Sequence, residues 1–302
     1  MDIVALGEPL VEFNQQHDGR WLEGFGGDTS NVAIAAARQG VKTGMISRVG
    51  TDEFGDALMG LWAREGVSSE TVARDPHAPT GIYFVHHRPE GHVFSYRRAG
   101  SAAALMRPED LPEATIRGAK VLHLSGISQA ISDSAADTCF AAMRMAREAG
   151  VTVAYDTNLR LRLWPIDRAR AVIHGALSLV DICLPGIDDA RALTGLDSPA
   201  EIVRFYQGLG PRIVALTLGD NGALVGDGDT LHEIAPRRTK LVDASGAGDC
   251  FDGTFLASWI GDRDVGKAAR YANCAASLSV EGYGAIAPIP RRADVEAALA
   301  SG

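Results

Sequence analysis

The sequence predicts an α/β protein built around a mainly parallel sheet. Short apolar runs rich in β-branched residues alternate along the chain with amphipathic segments of helical length, which is typical of βα units. The predicted core strands are 2–6, 43–49, 121–125, 151–155, 181–184 and 212–217. The predicted helices are 30–39, 54–65, 133–149, 167–177, 187–194, 198–208, 246–260 and 264–281.

Two stretches, 10–25 and 80–98, break this rhythm and have the pattern of β-hairpins. In the second, the apolar run 82–85 is followed by Pro89-Glu90-Gly91 and then by a second apolar run, which is a strand–turn–strand pattern. A parallel core has no room for such strands. We therefore expect one domain over 1–302, with these stretches forming a small sheet at one end that is able to cover a site.

The helix at 133–149 illustrates how the helices are recognised. Ser132 or Asp133 can cap its start, and Gly150 can end it. Between them, apolar residues recur at helical spacing. The positions are Ala136, Phe140, Met143 and Ala146.

Composition excludes several classes of function. The 302 residues are 46% hydrophobic and 22% charged, as in ordinary globular enzymes, and no apolar run approaches the roughly 20 residues of a membrane span. The start of the chain lacks a signal sequence, so we expect a cytoplasmic protein. The net charge of -9, without a dense Lys/Arg block, argues against a nucleic-acid partner. Cysteines without a C-x-x-C pair predict buried thiols rather than zinc ligands or disulfides; they are Cys139, Cys183, Cys250 and Cys274.

The most informative segment is the glycine-rich turn that precedes the helix at 246–260. At a helix start, the free N–H groups of 246–249 would point outward with the helix dipole behind them, and small residues would let a phosphate approach. Asp249, in the first turn, could take a proton from a hydroxyl attacking that phosphate. A plain turn with a helix cap remains an alternative. The segment is neither a Walker A motif nor the dinucleotide-binding G-x-G-x-x-G.

Three segments resemble signatures of the ribokinase (PfkB-type) carbohydrate kinase family. Residues 243–249, Asp-Ala-Ser-Gly-Ala-Gly-Asp, resemble its D-T-x-G-A-G-D motif. Residues 26–33 resemble G-G-x-x-x-N-x-A, and residues 50–55 resemble G-x-D-x-x-G. The match runs in order from Leu6 to about Pro288. It implies a ribokinase-like three-layer α/β/α sandwich with a small β-sheet lid.

The resemblance also implies a reaction. Asp249 would be the catalytic base that contacts and deprotonates the sugar hydroxyl, while the N–H groups of Gly246, Ala247 and Gly248 would stabilise the transferring phosphoryl group of ATP. Asp252, one turn later, is the rival carboxylate and is expected to be structural.

Nucleotide and metal residues follow from the same resemblance. Residues 216–223 resemble the T-x-G-x-x-G nucleotide loop, with Thr217 and Gly219 near the phosphates and ribose and Gly222 closing the loop. A plain β-turn between two strands is the alternative. Asn273 falls where the family forms its adenine pocket.

The expected metal sites depart from the family pattern. Where many members have N-x-x-E near Mg²⁺, this chain has Gly186 in place of the Asn and Asp189 in place of the Glu. Contact through water tolerates this change, because Mg²⁺ keeps several waters. Asp243 lies where family members support a monovalent cation, which would be K⁺.

Three further matches resemble 2-keto-3-deoxygluconate kinases within the family. They are G-E-x-[ML]-[IV]-[ED] at 7–13, Y-x-R-x-x-S-A-A at 96–103 and D-x-N-x-R-x-x-L-W at 156–164. A carboxylated sugar needs positive charge, and guanidinium binds carboxylates in a bidentate manner. Arg98 and Arg160 are therefore the expected pair at the acid group.

The remaining sugar contacts are expected near the N-terminal motif and the lid. Gly27 would let the backbone approach the sugar, and Asp28 and Asn31 could bind its hydroxyls. Tyr83 and Tyr96 could cover the sugar or could instead form a dimer contact, since family members often form homo-oligomers through the lid. A neutral-sugar kinase, either fructokinase or ribokinase, and a catalytically silent sugar-binding protein remain alternatives.

Overall fold

The computed structural model describes residues 1–88 and 91–301, so the expected turn at Pro89-Glu90 lies outside the described residues. The strands are β1 (Ile3–Leu6), β2 (Leu10–Gln15), β3 (Trp21–Gly26), β4 (Thr43–Gly50), β5 (Val67–Asp75), β6 (Ile82–Arg88), β7 (Gly91–Arg97), β8 (Val121–Ser125), β9 (Thr152–Asp156), β10 (Ile182–Cys183), β11 (Ile213–Thr217), β12 (Ala223–Asp227) and β13 (Thr230–Ile234).

The helices alternate with these strands. They are α1 (Asp28–Arg38), α2 (Glu53–Glu65), α3 (Glu113–Arg117), α4 (Gly126–Ala130), α5 (Asp133–Glu148), α6 (Ile166–Leu177), α7 (Ile187–Thr194), α8 (Pro199–Leu209), α9 (Ala247–Asp262), α10 (Val265–Ser279) and α11 (Arg292–Ala300). In residues 1–88 and 91–301, no helix combines the length and the apolar character that crossing a membrane requires.

A nine-stranded sheet forms the centre of the molecule, in the order β13-β12-β11-β10-β9-β8-β1-β4-β5. The strands from β11 to β5 pair in parallel, whereas β12 and β13 are added antiparallel at one edge. The prediction of an α/β fold with a mainly parallel sheet is confirmed.

Helices cover both faces of this sheet, because successive side chains of a strand point to opposite faces. In β8, Leu122 and Leu124 pack in one apolar cluster with α5, α6 and α8, whereas Val121 belongs to a second cluster with α9 and α10. The result is the expected three-layer sandwich. All four cysteines are buried and unpaired.

The two hairpin-like stretches form a separate four-stranded sheet, in the order β3-β2-β6-β7. Its central pair, β2 and β6, is parallel, and the outer pairs are antiparallel. Aromatic residues pack along it: the ring of Phe13 stacks on that of Phe84 at 5.5 Å, and Trp21 meets Phe84 edge-on at 5.3 Å. This sheet, β2, β3, β6 and β7, is called the small sheet below.

Several elements were not predicted from the sequence. Strand β5, Val67–Asp75, is an edge strand whose exposed residues interrupt the alternation of apolar and polar positions, and its pairing with β4 shifts register between Gly44 and Ile46. Such a strand lacks the period-2 pattern that identifies strands. The short helices α3 and α4, the C-terminal helix α11 and strand β13 were also missed.

Candidate active site

A cavity of about 300 Å³ lies at the carboxyl ends of β9, β10 and β11, against the start of α9. Ligand sites of open α/β sheets occur at this edge. Its lining combines the ends of these strands with the glycine-rich turn: Asp156, Asn158, Arg160, Leu184, Gly186, Asp189, Thr217, Ala244, Ser245, Gly246, Ala247, Gly248, Asp249 and Asp252.

The start of α9 supplies backbone N–H groups to this cavity. Gly246 precedes the helix with a φ of 72°, and a side chain there would lie 2.8 Å from the carbonyl oxygen of Ala285. The conformation and the space at this position therefore both require glycine. The N–H groups of Gly246, Gly248 and Asp249 have no hydrogen-bond acceptor among the described residues.

One part of the predicted anion hole needs correction. The N–H of Ala247 donates to the carbonyl of Ala244 at 3.2 Å, which closes the turn before the helix. This N–H is therefore already engaged, and within the described part of the chain the N–H groups of this turn without an acceptor are those of Gly246, Gly248 and Asp249.

Gly248 is explained differently from Gly246. A Cβ atom at this position would meet nothing within 4 Å, and the residue has ordinary helical geometry. Glycine weakens a helix relative to alanine by up to about 1 kcal/mol, so the fold alone gives no reason for it here. Close approach of a ligand to the backbone would explain why this position is a glycine.

Asp249 projects into the cavity from the first turn of α9, and one of its oxygens accepts a hydrogen bond from the Asn31 amide at 2.8 Å. Burial, reinforced by the negative charge of Asp28, raises the pKa of Asp249 to about 7, although the Asn31 hydrogen bond and Arg160 oppose the shift. A carboxylate with a pKa near neutral pH is well suited to accept a proton there.

Asp28 connects three elements at this point. Its buried carboxylate accepts from the backbone N–H of Thr29 at 2.8 Å and from the side-chain amide of Asn158 at 2.9 Å. Gly27, just before it, has a φ of 105°, and a Cβ there would lie 2.5 Å from the Glu8 carbonyl oxygen. The structure thus brings together α1, the segment after β9 and the start of α9.

Two further cavity carboxylates were not predicted as site residues. Asp156 ends β9, and burial together with the charges of Asp249 and Asp28 raises its pKa well above the usual range. Asp252, expected to be structural, lines the cavity, and its buried Oδ2 atom has no hydrogen-bond partner in residues 1–88 and 91–301. Signals were present for both residues: Asp156 directly follows an apolar run, and Asp252 is three positions after Asp249, on the same helix face.

Arg160 is the basic residue of the cavity lining. It is half-exposed, donates to the neighbouring Leu159 carbonyl at 2.8 Å, and lies 3.9 Å from the carboxylate of Asp189. Asp189 in turn accepts from the Leu159 N–H at 2.8 Å, and burial raises its pKa. The guanidinium therefore keeps donors available to a ligand.

Arg98 does not line this cavity. It forms an ion pair with the buried carboxylate of Glu8, and its guanidinium lies 5.5 Å above the ring of Tyr96. Tyr96 stacks on Tyr83 at 5.5 Å, and the Tyr83 hydroxyl donates to Glu12. The expected pairing of Arg98 with Arg160 as two free cations is therefore not what the structure contains, because Glu8 neutralises Arg98.

Only some of the residues predicted for the nucleotide line the cavity. Thr217 lines the cavity, whereas Gly219, Gly222 and Asn273 do not. A side chain at Gly222 would collide with the Ile234 carbonyl oxygen, so the turn between β11 and β12 by itself accounts for this glycine. The Asn273 amide donates to the Ala235 carbonyl at 3.0 Å and thereby holds the segment after β13.

The cavity carboxylates fit a divalent cation held through water and phosphate. No group of three or more His, Cys, Asp or Glu residues in the described part of the chain is arranged as a metal site. Mg²⁺, however, is usually held by one or two carboxylates together with substrate phosphates and waters. Asp156, Asp189 and Asp252 supply carboxylates to the cavity, and one oxygen of Asp252 has no hydrogen-bond partner among the residues that the structure describes.

Asp243 links two segments beside the glycine-rich turn. One of its oxygens accepts from the Ser245 N–H and the other from the Gly284 N–H, both at 2.9 Å. A carboxylate that joins these two segments beside the turn fits the expected role of an anionic support for a monovalent cation.

A carboxylate with a pKa near neutrality, free helix-terminal N–H groups and cavity carboxylates suited to Mg²⁺ together define a phosphoryl-transfer enzyme. Residues 2–292 match the pfkB family carbohydrate kinase, and the chain belongs to this family. It is an ATP-dependent carbohydrate kinase.

Individual relatives agree with this assignment. A 2-dehydro-3-deoxygluconokinase of Thermoproteus tenax is 34% identical, over 97% of this chain and 93% of the relative. A probable fructokinase-4 of Arabidopsis thaliana is 32% identical, over 98% and 96%. The crystal structure of fructokinase from Vibrio cholerae O395 in a fructose-, ADP- and calcium-bound form superposes with a TM-score of 0.89 at 27% identity, covering 99% of both chains.

Proposed function

We propose that this kinase phosphorylates the primary hydroxyl of a sugar acid, 2-keto-3-deoxygluconate, to give the 6-phosphate. The observation that carries the transfer step is Asp249, with its pKa raised to about 7, beside backbone N–H groups at the start of α9 that have no acceptor among the described residues. The 2-keto-3-deoxygluconate motifs and the 2-dehydro-3-deoxygluconokinase relative, whose name denotes the same sugar acid, support this substrate.

The proposed reaction is an in-line transfer. Asp249 accepts the proton of the sugar hydroxyl as its oxygen forms a bond to the γ-phosphorus of ATP, and the bond from that phosphorus to the bridging oxygen breaks to release ADP. The free N–H groups of Gly246 and Gly248 donate to the transferring phosphoryl group. Mg²⁺, held through Asp189 with Asp156 and Asp252, would neutralise phosphate charge.

The sugar contacts follow from the arrangement around Asp28. Gly27 lets the backbone come close, while Asp28 and Asn31, which are hydrogen-bonded to Asn158 and Asp249, bind sugar hydroxyls. Arg160 binds the acid group from the cavity wall, and Arg98 binds it from the side of the small sheet. Tyr83 and Tyr96, stacked on each other, cover the substrate, so that the small sheet acts as a lid.

For the nucleotide, Thr217, Gly219 and Gly222 hold the phosphates and ribose, and Asn273 borders the adenine. Asp243 supports a K⁺ ion near the glycine-rich turn. These assignments rest on the family motifs, together with the position of Thr217 in the cavity lining.

A neutral-sugar kinase is the second candidate, and one observation favours it. Glu8 forms an ion pair with Arg98, and Asp189 lies 3.9 Å from Arg160, so both of the arginines expected at the acid group have a carboxylate partner. The similarity to fructokinases supports the same alternative.

Substrate choice is tested by measuring ADP release with 2-keto-3-deoxygluconate, its galactonate-derived isomer, fructose and ribose, in K⁺ and in Na⁺ buffers. We expect the sugar acids to be preferred. Arg160→Ala is expected to raise the KM for the acid about 10- to 100-fold, because a hydrogen bond to a charged group contributes about 1.5–3 kcal/mol, while KM for fructose changes little.

Arg191→Ala is the matched control. Arg191 is also half-exposed and forms a similarly loose ion pair, 4.0 Å from Asp188, but it lies outside the cavity lining. Equal losses with acid and neutral sugars in Arg160→Ala would exclude carboxylate recognition, and a clear preference for fructose would favour the second candidate.

A further inference from the structure

Arg98 is held by a carboxylate that the phosphoryl transfer does not use. Glu8 lies just after β1, and its side chain is fully buried, with 0% exposed. One of its oxygens accepts from Arg98 Nε at 2.7 Å, and the other accepts from the Ser101 hydroxyl at 2.6 Å. Both carboxylate oxygens are thus engaged by the segment that follows the small sheet.

This contact restricts the guanidinium of Arg98 to one orientation. Nε and Nη2 both lie against Glu8, the plane rests near the Tyr96 ring, and only 11% of the side chain is exposed. Nη1 has no hydrogen-bond partner in the described part of the chain. One edge of the guanidinium is therefore anchored, and the other remains able to donate.

Glu8 also lies close to the predicted sugar contacts. A Cβ at Gly27 would lie 2.5 Å from the Glu8 backbone carbonyl, and one at Gly81 would lie 2.8 Å from its carboxylate. Burial raises the pKa of Glu8, the charge of Arg98 and the hydrogen bonds from Ser101 and Arg98 oppose this shift, and the charge of Asp28 adds to it. The residue thus connects the end of β1, the Gly27 backbone and Arg98 within one tightly packed region.

Stability alone does not account for this ion pair. The free-energy cost of removing two charges from water can exceed the energy of their attraction. Well-packed apolar residues can therefore often replace a buried ion pair without loss of stability. A fixed guanidinium has a different advantage, because its orientation needs no ordering when the ligand binds.

We propose that Glu8 is a positioning residue that orients Arg98 toward the acid end of the sugar substrate. The inference rests on the proposed function, because it requires that Arg98 contacts the sugar. Without Glu8, Arg98 would sample several rotamers. Sugar binding would then be weaker, because it would include the entropy cost of ordering the Arg98 side chain. Loss of Glu8 should therefore weaken sugar binding and leave the phosphoryl-transfer step unchanged.

The test is a double-mutant cycle with Glu8→Gln, Arg98→Gln and the double variant, comparing kinetics with 2-keto-3-deoxygluconate. We expect Glu8→Gln to raise the KM for the sugar acid about tenfold, with kcat and the KM for ATP within about twofold. The double variant should have the same KM as Arg98→Gln, because Glu8 acts only through Arg98.

Glu65→Gln is the control for loss of stability. It breaks the Arg38–Glu65 ion pair, whose side chains are 9% and 13% exposed, at the far end of α1 from Asp28. It should lower Tm without changing the sugar KM. If Glu8→Gln fails to fold, Ser101→Ala removes one hydrogen bond to Glu8 and should raise the sugar KM about two- to fivefold.

The outcomes separate the two proposals. An unchanged sugar KM in Arg98→Gln would remove Arg98 from the sugar site and contradict that part of the proposed function. A raised KM in Arg98→Gln, with an unchanged KM in Glu8→Gln and in Ser101→Ala, would overturn the role of Glu8 alone. Additive effects in the double variant would likewise overturn it.

Discussion

Asp249 owes its chemistry to neighbours that are distant in the sequence. Asn31, which donates to it, is 218 positions away, and Asp28 contributes the negative charge that adds to the effect of burial. Burial and a nearby like charge both disfavour the ionised form, whereas the Asn31 hydrogen bond favours it. The balance is a pKa of about 7, so a large share of the enzyme holds an unprotonated Asp249 at neutral pH.

The pH dependence of kcat/KM for the sugar is expected to follow the titration of Asp249. Below a pH of about 7, where Asp249 is protonated, kcat/KM should fall about tenfold per pH unit, and above it the value should level off. Initial rates at saturating ATP, in buffers of constant ionic strength, measure this profile.

Asp249→Asn is the companion variant. It should lower kcat about 100- to 10,000-fold while calorimetry still detects sugar binding, and its residual rate should not show the acidic limb. A limb that persists in Asp249→Asn would assign the titration to another group, such as Asp156 or Asp252.

At the scale of an element, the start of α9 contains two glycines that are present for different reasons. Gly246 has a positive φ and no room for a side chain, whereas Gly248 has helical geometry and open space beside it. The fold therefore accounts for Gly246, whereas Gly248 has no structural reason, and we expect it to allow the approach of a phosphate.

This difference predicts opposite outcomes for two alanine variants. Gly248→Ala should leave Tm unchanged or slightly higher, because alanine favours the helix by up to about 1 kcal/mol, yet it should lower kcat/KM by obstructing the phosphate. Gly246→Ala should lower Tm. Thermal unfolding and steady-state kinetics on both proteins provide the comparison, and full activity in Gly248→Ala would argue against phosphate approach at this backbone.

At the scale of the whole molecule, the small sheet carries exposed apolar residues. Trp21 is 40% exposed and Leu22 is 60% exposed, both on β3 at the edge of that sheet. Their side chains point to opposite faces of the sheet, but both belong to an edge strand, and an edge strand with large exposed apolar side chains is typical of a surface that pairs with another chain. We propose that two copies of the chain associate through this edge.

Leu22→Glu tests this association. Light scattering after size exclusion should find a dimer for the unaltered protein and a monomer for Leu22→Glu, because a buried charge without a partner disfavours the interface. Leu299→Glu, at a position that is 45% exposed on α11, should remain dimeric. A monomer for the unaltered protein at micromolar concentration would contradict the proposal.

Local patterns in the sequence were sufficient for the layered fold and for the glycine-rich turn. All the predicted core strands and helices occur within two residues of the predicted ends, because periodicity and caps depend on neighbours a few positions apart. The edge strand β5 was missed because its alternation is irregular. The resemblance to the carbohydrate kinases depended on equally local motifs.

The contacts between distant residues were decided by the tertiary structure alone. Glu8 meets Arg98 across 90 positions, and Asn158 meets Asp28 across 130, because the fold brings the segment after β7 to the end of β1 and the start of α1 to the segment after β9. The hydrogen bond from Asn273 to Ala235 and the position of Asp252 in the cavity lining also depend on the tertiary structure. A sequence pattern indicates which groups are present, but charge pairing and burial depend on what the folded chain places beside them.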